Sequence, residues 1–357
     1  KEVNMPVACV GALNDPKQME EIIASGQSDC VELGRALLAD PRLPNKARLG
    51  RGEDITPCLR CFECFAETSK SETVKCTVNP RMGEQLWVPE ALPSAERRKR
   101  VLVAGGGPAG MEAAIVAAAR GHEVILAEKN DHLGGNLVPA GAPYFKEDLR
   151  SFLELMQRRV KASSAKVLLN TRVTPQLIAQ FRPDALVVAI GAESLRPPIP
   201  GLDSPNVVMA VDAELHPEKL GKRVVIIGGG LVGAELAVSL AAEGHGCTVV
   251  EMRSAVAMDV SPFYRGGLMP QLEKAASLRT DAAVCRVEQD GVVIRTESGE
   301  EKLPADSVVC AAGFRPDYGQ VDVLCAQVAE SYVIGDCQRV GQIYQAMNQG
   351  YFTARRI

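Results

Sequence analysis

Gly105-Gly106-Gly107-Pro108-Ala109-Gly110 and, 123 positions later, Gly228-Gly229-Gly230-Leu231-Val232-Gly233 are two copies of one glycine-rich turn. The copies stay in register beyond the turn. Gly121-His122 answers to Gly244-His245, and Glu128 answers to Glu251. Each turn follows a run that reads as a buried strand, Arg100–Ala104 and Arg223–Ile227, and leads into a helix. A lone GxGxxG is a weak signal. Two in register, each with strand, helix and an acidic residue about 20 positions on, make a repeated dinucleotide-binding fingerprint.

The physics of each copy is the same. The first glycine, Gly105 or Gly228, makes a turn too tight for a Cβ. The second, Gly107 or Gly230, lets the backbone approach a pyrophosphate, and the third, Gly110 or Gly233, lets the helix lie close to the strand. The helix N-termini, at Pro108-Ala109 and Leu231-Val232, offer free N–H groups and a partial positive charge to phosphates. Glu128 and Glu251, ending the second strand of each unit, are placed to accept hydrogen bonds from a ribose diol. The competing reading is a pair of tight turns with no ligand.

Composition sets the frame. A chain of 357 residues predicts two or three domains, and 46% apolar with 24% charged residues is ordinary globular protein. A net charge of −4 argues against a general nucleic-acid binder. The basic cluster Arg97-Arg98-Lys99-Arg100 reads as a solvated boundary between a linker and a strand. No apolar run approaches the roughly 20 residues of a membrane span, and no signal peptide opens the chain. Eleven cysteines make an odd count, unsuited to a disulfide framework, so a reducing cytoplasm is expected.

Four of those cysteines are grouped. Cys58, Cys61 and Cys64 form one C-x2-C-x2-C run, and Cys76 follows. Thiolates at this spacing in a tight turn can converge on one iron–sulfur cluster, closed by the later fourth. Structural zinc is the competitor, but its four-cysteine sites usually come as two separated knuckles. Three cysteines on one knuckle favour iron–sulfur. Cys9, Cys30, Cys310 and Cys325 sit in apolar sequence, where thiols act as small hydrophobes. Cys337 reads as packing, and Cys247 and Cys285 carry no recognisable partner. His122 and His245 read as helix-terminus residues, and His132 and His216 have no evident partner.

Ahead of the cysteines the chain reads strand, helix, strand, helix. Met5–Gly11 is predicted as a buried strand, and Asp15 caps a helix through Met19 and Ile23 that Gly26 ends. A second strand spans Asp29–Arg35, followed by helical Ala36–Ala39. Two such units cannot close a domain, and the chain opens on Lys1, so further sequence is expected upstream. The pattern suits the end of a parallel β/α barrel. Farther along, the strands at 184–191 and 306–313 each run into a glycine, Gly191 and Gly313, expected to approach the nucleotide closely. Tyr332-Val333-Ile334-Gly335-Asp336 delivers an aspartate to a strand tip, with a helix from about Tyr344.

This order of elements resembles the C-terminal half of the iron–sulfur flavoproteins in the old yellow enzyme superfamily. That branch includes 2,4-dienoyl-CoA reductase, 2-enoate reductase and trimethylamine dehydrogenase. The resemblance covers essentially the whole chain. It implies an α/β architecture: the last two β/α units of an FMN barrel (1–50), an Fe–S segment (51–94), and two Rossmann-like domains. The FAD domain would take 95–205 and 315–357, with an NAD(P)H domain inserted at 206–314.

The site residues follow from the same resemblance. Gly11, Gly34 and Arg35 resemble strand tips that hold the FMN phosphate, although Gly11-Ala12 departs from the usual pattern there. Cys58, Cys61, Cys64 and Cys76 look like the ligands of a [4Fe–4S] cluster. Gly105, Gly107, Pro108, Ala109, Gly110 and Glu128 resemble the FAD cradle. Gly134-Gly135-Asn136-Leu137 resembles a Gly-Gly-Gln-Leu turn against the flavin, with Asn136 in place of glutamine. Asp336 looks like the aspartate that binds the FAD ribityl chain. Gly228, Gly230, Val232, Gly233 and Glu251 resemble a nicotinamide-nucleotide site, and Glu251 favours NADH over NADPH by charge repulsion.

The implied activity is the electron-input half of an NADH-dependent oxidoreductase, running NADH to FAD to [4Fe–4S] to FMN. The parent enzyme would reduce an enoate or enone C=C bond, with catalytic residues on barrel strands outside this sequence. One alternative is an amine dehydrogenase of the trimethylamine type, passing electrons to a carrier protein. Another is a non-catalytic electron-transfer subunit completed by a separate barrel chain. A thioredoxin-reductase-like disulfide enzyme would need a redox C-x2-C in a nucleotide domain, and none exists there. The expected partners are small molecules and, in a homo-oligomer, further copies of the chain, with neither nucleic acid nor membrane.

Overall fold

The computed structural model describes residues 3–70 and 73–357, so Lys1 lies outside the described residues. The chain forms two compact units. The first comprises 1–135, 148–190 and 319–357, and the second 136–147 and 191–318. Each carries one copy of the fingerprint on a parallel five-stranded sheet.

In the first unit the strand order is Ser331–Val333, Ala185–Val188, Arg100–Ala104, Glu123–Ala127, Lys166–Leu168, with all neighbours parallel. The central strand is apolar because helices cover both its faces: Val101 to Ala104 are all buried. The fingerprint helix, Pro108–Ala119, places a proline at its start, where the missing N–H is not needed. A C-terminal helix, Ile343–Ala354, packs along it. They meet at Gly350, where a Cβ would stand 2.5 Å from the Ala109 carbonyl oxygen.

The second unit repeats the plan with strands Ala276–Arg279, Gly246–Val250, Arg223–Ile227, Ser307–Cys310 and Val207–Met209, again all parallel. Alternation along the central strand sends Val224 and Ile226 into one core layer and Val225 and Ile227 into the other. The second layer is completed by an antiparallel meander, Ala283–Glu288, Gly291–Thr296 and Gly299–Pro304. The duplication extends to the register: Arg100 pairs with Glu123 and Arg223 with Gly246, the same two positions 123 residues on. An aspartate fixes each central strand at its start. The Arg100 amide donates to Asp184 Oδ2 at 2.7 Å, and the Arg223 amide to Asp306 Oδ2 at 2.9 Å.

The N-terminal stretch holds two short parallel strands, Ala8–Val10 and Cys30–Glu32. Asp15 caps the helix Pro16–Ala24 by accepting from the Lys17 amide at 2.9 Å, and Gly26 follows with a φ of +70°. The first predicted strand is shorter than expected and not buried, since Met5 and Val10 are 64% and 66% exposed. Cys30 is also exposed rather than packed in apolar surroundings. A sheet of two strands has too little area to cover its own faces.

The unit boundaries differ from those predicted. Residues 136–147 and 191–205 fold with the second unit, not with the FAD domain. A half-buried cluster accompanies the first: Lys146 pairs with Glu235, and both meet the Tyr264 hydroxyl, within the second unit. The second follows from pairing of Glu193-Ser194 with Phe314-Arg315.

Candidate functional site: two cradles and a cysteine knuckle

In the first unit the predicted cradle residues come together. A Cβ on Gly105 would run into the Ala189 carbonyl, and one on Gly110 into the Gly105 carbonyl, so neither position tolerates a side chain. At Gly107 the space is open, with nothing within 4 Å of where a Cβ would stand. That opening lies at the helix N-terminus, where a phosphate would approach. Glu128 is buried and held rigidly. Its Oε2 accepts from the Gly106 amide at 2.6 Å and its Oε1 from the Asn130 amide at 2.9 Å. A carboxylate has about four acceptor sites, so capacity remains for ribose hydroxyls.

Two further segments close on this turn. The Gly134 amide donates to the Gly106 carbonyl at 2.9 Å, and Gly135 approaches Gly107 so closely that its Cβ would stand 3.1 Å from the Gly107 Cα. Gly335, with φ +70°, lies against Ala109, where its Cβ would stand 3.1 Å from the Ala109 Cβ. Next to it, Asp336 accepts from the Gly341 amide at 3.1 Å, and burial pushes its carboxyl up. Gly105, Gly107, Pro108, Ala109, Gly110, Glu128, Gly135, Gly335 and Asp336 therefore belong to one neighbourhood. Asn136 and Leu137 follow directly, with Asn136 at the start of the short helix Leu137–Ala140 and Leu137 buried.

The second cradle repeats the first. Cβ atoms on Gly228 and Gly233 would meet the carbonyls of Ala311 and Gly228. Glu251 Oε2 accepts from the Gly229 amide at 2.8 Å, and its Oε1 from the Arg253 amide at 2.9 Å and Nε at 3.2 Å. Burial opposes the charge on Glu251, but the amides of Arg253 and Gly229 and the Arg253 guanidinium together hold its carboxyl below the usual range. Val232, on the first turn of the helix Leu231–Ala242, is 43% exposed. One feature was not foreseen. At Gly230 the space is taken by the carboxylate of Asp259, which also accepts from the Leu231 amide at 2.9 Å.

Gly191 and Gly313 both have positive φ, +75° and +104°, and, as at Gly107, no described atom lies within 4 Å of either Cβ position. The tight contacts are made two residues earlier, by the backbone of Ala189 against Gly105 and of Ala311 against Gly228.

The cysteine knuckle is shaped by left-handed backbone at Arg60 and Phe62, φ 53° and 61°. Asn14, absent from the sequence reading, grips it by a reciprocal pair: its Nδ2 donates to the Cys58 carbonyl at 3.0 Å, and the Cys58 amide donates to its Oδ1 at 3.1 Å. Asn14 and Arg60 both bind Asp148. Among the described residues no three His, Cys, Asp or Glu side chains converge to hold a metal ion. Yet the thiols sense one another. Burial pushes Cys58 and Cys64 up and Cys76 up to about 12, and neighbouring cysteines add to each rise. Binding of a metal or cluster requires the thiolate form of each. Loading would release their protons.

Around the N-terminal strands, Gly11 (φ +118°) and Gly34 have open space at their Cβ positions. The Arg35 guanidinium lies 4.3 Å from the Phe62 ring, and among the described residues its buried Nη1 has no hydrogen-bond partner. An orphaned guanidinium nitrogen fits an anion. The histidines are structural or exposed. His122 Nδ1 accepts from the Lys99 amide at 3.2 Å, and His245 Nδ1 meets the Gly221 carbonyl at 2.8 Å. His132 and His216 pair with Asp131 and Glu218, partners the sequence did not suggest. Cys337 is fully buried, as packing requires.

Both cradles lie within a stretch that a known family covers. A family model described as pyridine nucleotide-disulphide oxidoreductase matches residues 99–350. A second, described as the NADH:flavin oxidoreductase / NADH oxidase family, matches residues 1–54. Cinnamate reductase of Clostridium sporogenes is 35% identical over 362 residues, covering 100% of this chain and 54% of its own. NADH oxidase of Thermoanaerobacter brockii is 37% identical over 366 residues, covering 100% and 56%. A solved 2-naphthoyl-CoA reductase in complex with 2-naphthoyl-CoA superposes with a TM-score of 0.94 at 33% identity, covering 100% of this chain and 55% of that one. The chain spans about half the length of the curated relatives it matches. Among the described residues no helix is long and apolar enough to cross a membrane.

Proposed function

Because the chain belongs to the pyridine nucleotide-disulphide oxidoreductase family, we propose that it is the electron-input half of an NADH-dependent flavin and iron–sulfur oxidoreductase. The single observation that carries the reading is the duplicated cradle, two buried glutamates each fixed by a glycine-turn amide. The first cradle holds FAD through Gly105, Gly107, Ala109 and Gly110 on the pyrophosphate, Glu128 on the ribose and Asp336 on the ribityl chain. Gly228, Gly230, Gly233 and Glu251 hold the nicotinamide nucleotide.

Glu251 disfavours a 2′-phosphate, which makes NADH the preferred donor over NADPH. Cys58, Cys61, Cys64 and Cys76 hold a [4Fe–4S] cluster, and Gly11, Gly34 and Arg35 hold part of an FMN site at the end of a β/α barrel. When bound, these groups supply hydride acceptance and one-electron transfer, chemistry that the side chains themselves lack. The chain's own residues bind, orient and exclude water. The reaction served is reduction of an enoate- or enone-type C=C bond. Support comes from relatives whose names specify cinnamate reductase and 2-naphthoyl-CoA reductase.

Anaerobic purification followed by metal, sulfide and flavin analysis tests this reading. Iron and acid-labile sulfide in equal amounts, together with FAD, are expected. Zinc in place of iron, without flavin, overturns it.

A further inference from the structure

The two cradles differ at one point. In the first, position 108 is a proline with no N–H to offer, and no atom lies within 4 Å of the Cβ position on Gly107. In the second, the Leu231 amide donates to Asp259 Oδ1 at 2.9 Å and Oδ2 at 3.1 Å. Asp259 Oδ2 also lies 3.2 Å from where a Cβ on Gly230 would stand. A carboxylate thus stands where a phosphate oxygen approaches the second glycine and the helix N-terminus.

We propose that Asp259 is an affinity-determining residue of the nicotinamide-nucleotide site, an internal anion that competes with the dinucleotide pyrophosphate for the start of the helix Leu231–Ala242. The inference rests on reading the second cradle as that nucleotide's site. Two anions cannot share one amide donor, and their charges repel at this range. The ligand must displace the carboxylate, so binding is weaker than the backbone alone would give. Asp259 is exposed, which leaves it room to swing into solvent. Its effect differs from that of Glu251. NADH and NADPH carry the same pyrophosphate, so Asp259 weakens both alike and leaves their ratio to Glu251.

Calorimetric titration with ADP-ribose, a redox-inert probe carrying the pyrophosphate, tests the inference on the purified holoprotein. Asp259→Ala removes the competitor. Asp259→Asn removes its charge while preserving its shape, and guards against misfolding. Both variants are expected to bind ADP-ribose about tenfold more tightly than wild type, with the gap narrowing as salt screens the repulsion. Adenosine, which lacks the pyrophosphate, is expected to bind all three alike. Folded variants that bind ADP-ribose no more tightly than wild type overturn the inference and leave Asp259 as a structural cap. If neither wild type nor variants take ADP-ribose, the nucleotide assignment falls, and this inference with it.

Discussion

Glu112 and Glu235 stand at the same position of the duplicated helices, 123 residues apart, yet they are held differently. Glu112 is buried in the first unit, and burial pushes its carboxyl up to about 7 against the pull of Arg159. Glu235, in the second unit, pairs with Lys146 and accepts from the Tyr264 hydroxyl at 2.5 Å. The same contrast separates Gly107 from Gly230: one faces open space, the other the carboxylate of Asp259. The duplicated backbone is set inside the repeat by its glycines, the two carboxylates that receive their amides, and Asp184 and Asp306. What distinguishes the copies is the side chains on the surrounding segments: the loop bearing Asp259 has its counterpart 123 positions earlier at Gly134–Asn136, and the Ala257 amide donates to the Gly229 carbonyl as the Gly134 amide does to that of Gly106.

The sharpest way to break this comparison is to damage one backbone at a time. Gly110→Val and Gly233→Val each drive a side chain into a backbone carbonyl that cannot retreat. The expected cost is about 4 kcal/mol for either. The consequences should differ: Gly110→Val purifies without FAD, whereas Gly233→Val keeps FAD and loses its reduction by NADH. Identical cofactor content in the two variants would erase the distinction between the cradles.

A second test uses the unequal glutamates. Glu112 releases its proton near 4.5 in the unfolded chain and near 7 in the fold. Between those values the native state holds the extra proton, so stability is greatest below about 4.5 and falls as pH rises through 7. The expected loss is at most about 3 kcal/mol. Glu112→Gln should flatten this slope in urea unfolding measured across that pH range. In the second unit Glu214, also pushed up to about 7 by burial, gives the same sign and, at the same shift, a comparable amplitude. A Glu112→Gln protein with the wild-type slope would refute the assignment.

The smallest of the three effects concerns donor choice. Glu251→Ala removes the charge that repels a 2′-phosphate and frees the Arg253 guanidinium that the carboxylate holds. NADH preference over NADPH, read as the ratio of kcat/KM values, is expected to fall about tenfold, or ~1.4 kcal/mol. Unchanged selectivity would place the ribose elsewhere.

The backbone of both cradles was legible in the sequence because glycine spacing encodes close approach, and at Gly105, Gly110, Gly228 and Gly233 a side chain would meet a backbone carbonyl. The cysteine knuckle was legible as a spacing, but its support was not. Asn14 and Asp148 reach Cys58 and Arg60 from 44 and 88 positions away, and no local pattern announces such contacts. Asp259 escaped for a related reason, since an aspartate in a loop reads as ordinary turn chemistry until the loop is seen folded onto the helix start. The boundary at 136–147 fell elsewhere because Lys146 pairs with Glu235 in the second unit, a contact 89 positions away that no local pattern announces.

The most direct test of the central claim, that the first cradle holds FAD and the second the nucleotide that reduces it, is anaerobic stopped-flow mixing of the flavin-loaded protein with NADH. The flavin absorbance is predicted to bleach in wild type and to stay oxidised in Gly233→Val, while dithionite bleaches both. Wild-type flavin that dithionite reduces and NADH leaves untouched would contradict the account.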